Sequence, residues 1–186
     1  MSTSLNPEHI ITQLKRIVES DKRSEIRLNA NGGNSILLVC PPILEFKYIE
    51  KLVEMMPLDT YKIIDLNEVL LLFVKENESD INELFEILKA SVSQIFTAPA
   101  GEIRDDLYSR IIGNILDSYN QDKIPVLVNS GALYGSKLNF NKLLEDNVIE
   151  HGKHPVIILY PGRKEDKTYY FLNDKVASDY RCLIIE

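Results

Sequence analysis

The sequence predicts a single α/β domain spanning residues 1–186, with a mostly parallel sheet covered by helices on both faces. Three observations carry this. Short apolar-rich runs at 36–42, 61–66, 124–129 and 155–162 are bounded by turn residues, as strands buried on both faces require. The segments between them place apolar residues three and four apart, the spacing of amphipathic helices. The two kinds of segment alternate along the chain with no long linker or internal repeat, which favours parallel strands joined by helical crossovers.

The elements follow in order. Residues 7–20 set Ile10, Ile11, Leu14, Ile17 and Val18 on one helical stripe, with Asn6 as cap and Pro7 at the first helical position. "NANGGNS" (29–35) is a turn, and "ILLVCPP" (36–42) is a first strand ended by Pro41 and Pro42. Residues 45–56 predict a helix that buries Phe46, Ile49, Leu52, Val53 and Met56. "YKIIDL" (61–66) is a second strand, and 67–76 a short, very apolar helix. Residues 79–96 predict one long helix with a capping-box-like Asp80-x-x-Glu83 and a buried stripe of Ile81, Leu84, Phe85, Leu88, Val92 and Ile95. "APAG" (98–101) breaks the chain. The helix predicted over 102–119 opens with Glu102, Asp105 and Asp106, acids that suit the positive end of a helix dipole. A third strand (124–129), a helix (140–150) and a fourth strand (155–162) follow, with a turn at Pro161-Gly162. Residues 168–173 and 179–186 read as a terminal antiparallel pair.

Composition narrows the function. The net charge is −7 and the pI about 5.1, so the surface repels phosphate backbones and direct nucleic-acid binding is disfavoured. Cys40 and Cys182 lie inside apolar runs and read as buried, inert thiols. The polar amino terminus has no signal-peptide pattern, and no apolar run approaches the ~20 residues of a membrane helix, so the expected location is cytoplasmic.

One segment resembles a phosphate-binding loop. In "VLVNSGALYGSKLNF" (126–140) a strand runs into Gly131, Gly135 and Lys137 before a helix. The phosphate loop needs G-x-x-x-x-G-K-[ST]. Here only three residues separate the glycines, and the lysine follows Ser136. At the first strand, where such a loop commonly sits, Pro41 and Pro42 have no amide hydrogens to offer. The expectation is a P-loop-NTPase-like layout without a functional Walker A motif. His151 and His154 with Glu150 lack the third strong ligand that a zinc site needs. Asp65, at the end of the second strand, suits either catalysis or the cap of the next helix. No spacing suggests a nucleophilic triad, and no pair of carboxylates stands out for acid–base work. The expectation is a non-enzyme with no cofactor and no metal. The basic and aromatic loop at 160–170 offers a surface for protein contact.

The carboxyl-terminal third resembles the BrxB family of BREX phage-defence systems. The features that carry the resemblance are the strand Val126–Val128, the loop Ser130–Gly135 with Tyr134-Gly135, and the Leu143-Leu144 pair. The strand Val156–Gly162, the segment Tyr169–Leu172 and the closing Asp179–Ile185 complete the order, and "YKIIDLNEVL" looks like the family's second strand and following helix. The resemblance implies a non-catalytic adaptor or scaffold in a multi-protein anti-phage system. Its implied partner is a PglZ-like protein of the alkaline-phosphatase superfamily, working alongside a large ATPase and a DNA methyltransferase. It implies no catalytic residues. The candidate contact surface is Tyr134, Gly135, Tyr160, Gly162 and Arg163. The alternative reading is a degenerate ATPase-fold nucleotide sensor that does not hydrolyse.

Overall fold

A computed structural model describes residues 6–20, 23–88, 92–97, 105–136, 138, 140–166, 168–177 and 180–186. The chain begins with helices α1 (Pro7–Val18) and α2 (Arg23–Asn29), then strand β1 (Ser35–Cys40) and helix α3 (Glu45–Met55). Strand β2 (Tyr61–Asp65) leads to α4 (Leu66–Glu76), α5 (Glu78–Leu88) and α6 (Leu107–Asn120). Strand β3 (Ile124–Val128) precedes the short helices α7 (Phe140–Leu144) and α8 (Asn147–Glu150). Strands β4 (Val156–Glu165), β5 (Thr168–Phe171), β6 (Lys175–Val176) and β7 (Leu183–Ile185) complete the chain.

Five strands form a parallel sheet in the order β2-β3-β4-β1-β7. All six residues of β1 are buried, because side chains alternate between two cores. Ile36, Leu38 and Cys40 meet Ile10, Leu14 and Leu52 from α1 and α3. Leu37 and Val39 belong to the opposite core, with Phe73, Ile111 and Leu143 from α4, α6 and α7. This is the α/β architecture with both faces covered that the apolar runs predict. Asn6 caps α1 as expected, accepting a hydrogen bond from the Glu8 amide at 3.1 Å.

The structure differs from the sequence reading at several elements. The terminal segments do not pair with each other. β5 lies antiparallel to the second half of β4 and to β6, while β7 joins the parallel sheet beside β1. The chain turns back at Leu172 and Asn173, both at positive φ, and the apolar carboxyl terminus then fills the free edge of β1. Pro161-Gly162 is not a turn. β4 runs through it and the hairpin turns at Asp166 (φ 53°). Gly162 is needed there for close approach, since a Cβ would lie 2.5 Å from the Tyr170 carbonyl oxygen.

The single helix expected over 79–96 is α5 followed by a 3₁₀ turn at Val92–Ile95. Phe85, placed on its buried stripe, is 52% exposed, because α5 packs chiefly against α4 and that turn rather than on the sheet. The side chains of Leu88 and Val92, the break at 98–101, and Glu102 lie outside the described residues. In α3 the buried face is Tyr48 and Leu52, and Phe46 and Val53 are exposed. The sequence reading has no helix at α2, where among the described side chains of this short polar segment Ile26 alone is buried.

Two polar devices hold the amino ends of the strands. Asn34 is buried, and its Nδ2 donates toward the carbonyls of Ile149, Gly152 and His154 at 3.0, 3.0 and 3.1 Å. It joins the approach to β1 with the approach to β4. Below it, Asp122 accepts from Lys153 Nζ at 2.6 Å and meets His154 Nε2 at 2.7 Å. Lys153, then His154, hold the Asp122 carboxyl at about 2, below its ordinary 3.8. A carboxyl depressed in the folded state stabilises the fold above its unfolded pKa and loses that stabilisation as pH falls through the folded one. The urea midpoint should therefore drop between about pH 4 and pH 2 in a way that Asp122→Asn lacks. Parallel pH profiles for the two proteins would contradict this role.

Candidate functional site

Open α/β sheets bind ligands at the carboxyl ends of their strands. Here β1 runs into Pro41 and a 3₁₀ turn, Pro42–Leu44, in which the Leu44 amide donates to the Pro41 carbonyl at 2.8 Å. Neither proline has an N–H, so this loop cannot gather amides around a phosphate. At the end of β2, Asp65 Oδ1 accepts from the Asn67 amide at 2.8 Å and so caps α4. Its Oδ2 accepts from Asn129 Nδ2 at 2.9 Å, which ties β2 to the loop after β3. In that loop Ser130 Oγ donates to the Leu159 carbonyl at 2.8 Å, so its hydroxyl faces inward. Asn129 itself is left-handed, with φ 56°. Lys137, displaced by one position from the lysine of a phosphate loop, lies outside the described residues.

Beneath this edge sits a group that the spacing of the sequence does not reveal. Glu45 Oε1 and the Tyr48 hydroxyl are buried without a hydrogen-bond partner among the described residues. Burial, and next the nearby Asp65 charge, push the Glu45 carboxyl up. Burial raises Tyr48 to about 12, with Cys40 adding to the shift. Cys40 is raised by burial and then by Glu45, and Cys182 is pushed up to about 12 by burial. Both thiols stay protonated at neutral pH, and a protonated thiol is a poor nucleophile. They are free and buried, as the apolar runs around them predict.

The five candidate contact residues do not share one surface. Tyr134 is 54% exposed, and its hydroxyl donates to Asp174 Oδ2 at 3.0 Å. Gly135 is exposed and holds φ 87°, a conformation that suits glycine. Arg163 is exposed, pairs with Glu165 and lies 4.8 Å over the Tyr170 ring. Tyr160, by contrast, is fully buried among Phe140, Phe171 and Tyr180, and Gly162 is buried at the crossing of β4 and β5. These two hold the hairpin against the sheet and are not part of an exposed surface.

No family model, curated protein or solved structure gives a match to this chain. Its own surface therefore carries the functional argument.

Two features of that surface stand out. α4 and α5 present Leu71, Leu72, Phe85 and Ile87 to solvent, each more than half exposed. Large apolar side chains at this exposure mark contact sites when they gather on neighbouring elements. Beside them, a groove of about 440 Å³ follows the free edge of β2 between α4 and α6. Its lining combines Ile63, Val69 and Leu72 with Asp65, Glu68 and Asp117. Gly113 of α6 also lines it, and a Cβ there would meet nothing within 4 Å. A glycine inside a helix costs about 0.5–1 kcal/mol relative to alanine, and nothing in the described chain requires this one. The sequence signal was an isolated glycine in an otherwise regular helical pattern. The groove was not legible because strand order alone puts β2 at the sheet's edge. Among the described residues no group of three or more His, Cys, Asp or Glu side chains could hold a metal ion, and no helix is long and apolar enough to cross a membrane.

Proposed function

We propose that this protein is a non-catalytic adaptor in a BREX-type anti-phage system, and that it binds a PglZ-like protein of the alkaline-phosphatase superfamily. The order of elements after residue 120 supports the family reading. The observation that carries the adaptor reading is the exposure of large apolar side chains on both helices, Leu71 and Leu72 on α4 and Phe85 and Ile87 on α5. Association is driven by burying such surface. A tagged chain should co-purify with a PglZ-like protein. Leu72→Glu combined with Phe85→Glu should abolish the complex while leaving the far-ultraviolet circular dichroism unchanged. A complex that survives both substitutions would put the interface elsewhere, and no complex at micromolar concentration would sink the reading.

A second reading rests on the sheet. The strand order, with β1 between β4 and β7, supports a P-loop-NTPase-like layout and hence a nucleotide sensor. Pro41 and Pro42 oppose it, because they remove the amides on which phosphate binding depends. Titration with ATP and Mg²⁺ by calorimetry separates the two. The adaptor reading predicts a flat response.

A further inference from the structure

We infer that the β2 groove takes an extended segment of a protein partner, with Lys or Arg flanking apolar residues, which adds to the sheet as a strand beside β2. This rests on reading the chain as a partner-binding module and names the chemistry of what it binds. Among the described residues β2 pairs only with β3, and no other described strand lies along its outer edge. The ladder begins with the Ile124 amide donating to the Thr60 carbonyl. Alternation along a parallel strand then turns the N–H and C=O of Lys62 toward β3 and those of Ile63 outward. An outward-facing amide and carbonyl at an open edge are the elements of strand addition, in which main-chain bonds give affinity and side-chain pockets give specificity.

The groove supplies the pockets. Its apolar wall is Ile64, Val69 and Leu72, and Gly113 leaves the facing side of α6 open. Its charge selects the ligand. Asp65, Glu68, Glu76 and Asp117 line it against Lys62 and Arg110, and Arg110 is already held by Glu76 and Asp105. The excess of carboxylates attracts basic side chains and repels both nucleic acid and acidic peptides. It also disfavours a second copy of this chain, since pairing two β2 edges would bring both sets of acids together in a protein of net charge −7.

The probe is a fluorescein-labelled peptide of alternating Lys and Val, about eight residues long to match a strand. The control replaces each Lys with Glu. The Lys peptide should bind the full chain with micromolar Kd and slow hydrogen exchange at the Ile63 amide, and the Glu peptide should not bind. Gly113→Leu fills the groove and should weaken binding about tenfold or more while the melting temperature holds or rises, since leucine is a better helix former than glycine. Ile63→Pro removes the outward N–H and should also weaken binding; proline is tolerated at an edge when its missing N–H faces solvent. The inference is overturned by no binding, by equal binding of the Glu peptide, or by binding without protection of Ile63. A Gly113→Leu variant that binds normally overturns it too, as does a β2-mediated dimer that Gly113→Leu dissolves. Loss of the PglZ-like complex with peptide binding intact counts against the adaptor reading alone.

Discussion

Gly33→Ala should destabilise the fold by about 2–4 kcal/mol, at the upper end of what overpacking costs. A Cβ at Gly33 would lie 1.8 Å from the Arg181 carbonyl oxygen and 2.7 Å from its carbon. These are backbone atoms, so no rotamer change relieves the clash. The surroundings are also fixed. Arg181 Nε donates to the Asn31 carbonyl at 3.2 Å, and its guanidinium lies 3.2 Å from Glu150. Arg181 leads directly into β7, whose register against β1 begins at Leu183 opposite Ile36. The substitution should therefore loosen β7 first. Urea unfolding measures the loss, and hydrogen exchange at Leu183–Ile185 locates it. Gly113→Ala is the control, because its Cβ meets nothing within 4 Å, and it should be neutral or slightly stabilising. Equal stability of the wild type and Gly33→Ala would mean that the turn before β1 and the approach to β7 are not in contact.

Tyr160→Ala should cost about 3–5 kcal/mol, the range for removing a fully buried aromatic ring. The ring lies 4.9 Å from Phe171, 5.6 Å from Phe140 and 6.0 Å from Tyr180, centroid to centroid. Its loss would leave a cavity between the sheet and the β4–β5 hairpin. Tyr160→Phe should cost far less, about 1 kcal/mol or below, since it removes only a hydroxyl 3.5 Å from the Tyr180 hydroxyl. Burial and the Tyr180 hydroxyl hold the Tyr160 phenol protonated well above the usual range, so Tyr160 stays neutral at physiological pH. Thermal unfolding of the two variants separates a core role from a surface role. A Tyr160→Ala protein that keeps its melting temperature but loses its partner would restore Tyr160 to the contact surface.

Periodicity made the parallel sheet legible. Buried strands are continuous apolar runs, and β1, β3 and the first half of β4 follow that rule residue by residue. What periodicity cannot carry is the pairing of short strands. β7 has three residues, and the approach of Arg181 to Gly33 that precedes it brings together residues roughly 150 apart in the chain. Pro161-Gly162 misled for a related reason. The pair reads as a turn locally, but Gly162 serves the crossing of two strands and Pro161 accepts from the Leu172 amide at 2.8 Å. α5 misled in the other direction. Its apolar spacing is that of a buried helix, yet Phe85, on the expected buried stripe, is exposed, and this mismatch between pattern and burial supports the proposed contact role of α5. Of the candidate site, Tyr134, Gly135 and Arg163 are exposed as expected. The orphaned Glu45 and Tyr48 lie three residues apart on one helix face and gave no motif to recognise.

The proposed adaptor should bind a protein partner through the exposed apolar side chains of α4 and α5 rather than act on a substrate. Sedimentation of the purified chain with the PglZ-like protein at micromolar concentration, with and without Leu72→Glu and Phe85→Glu, tests it directly. The wild-type chain should form a stable complex and the doubly substituted one should sediment as a separate species. Separate species in both mixtures, or an unaltered complex in both, would contradict it.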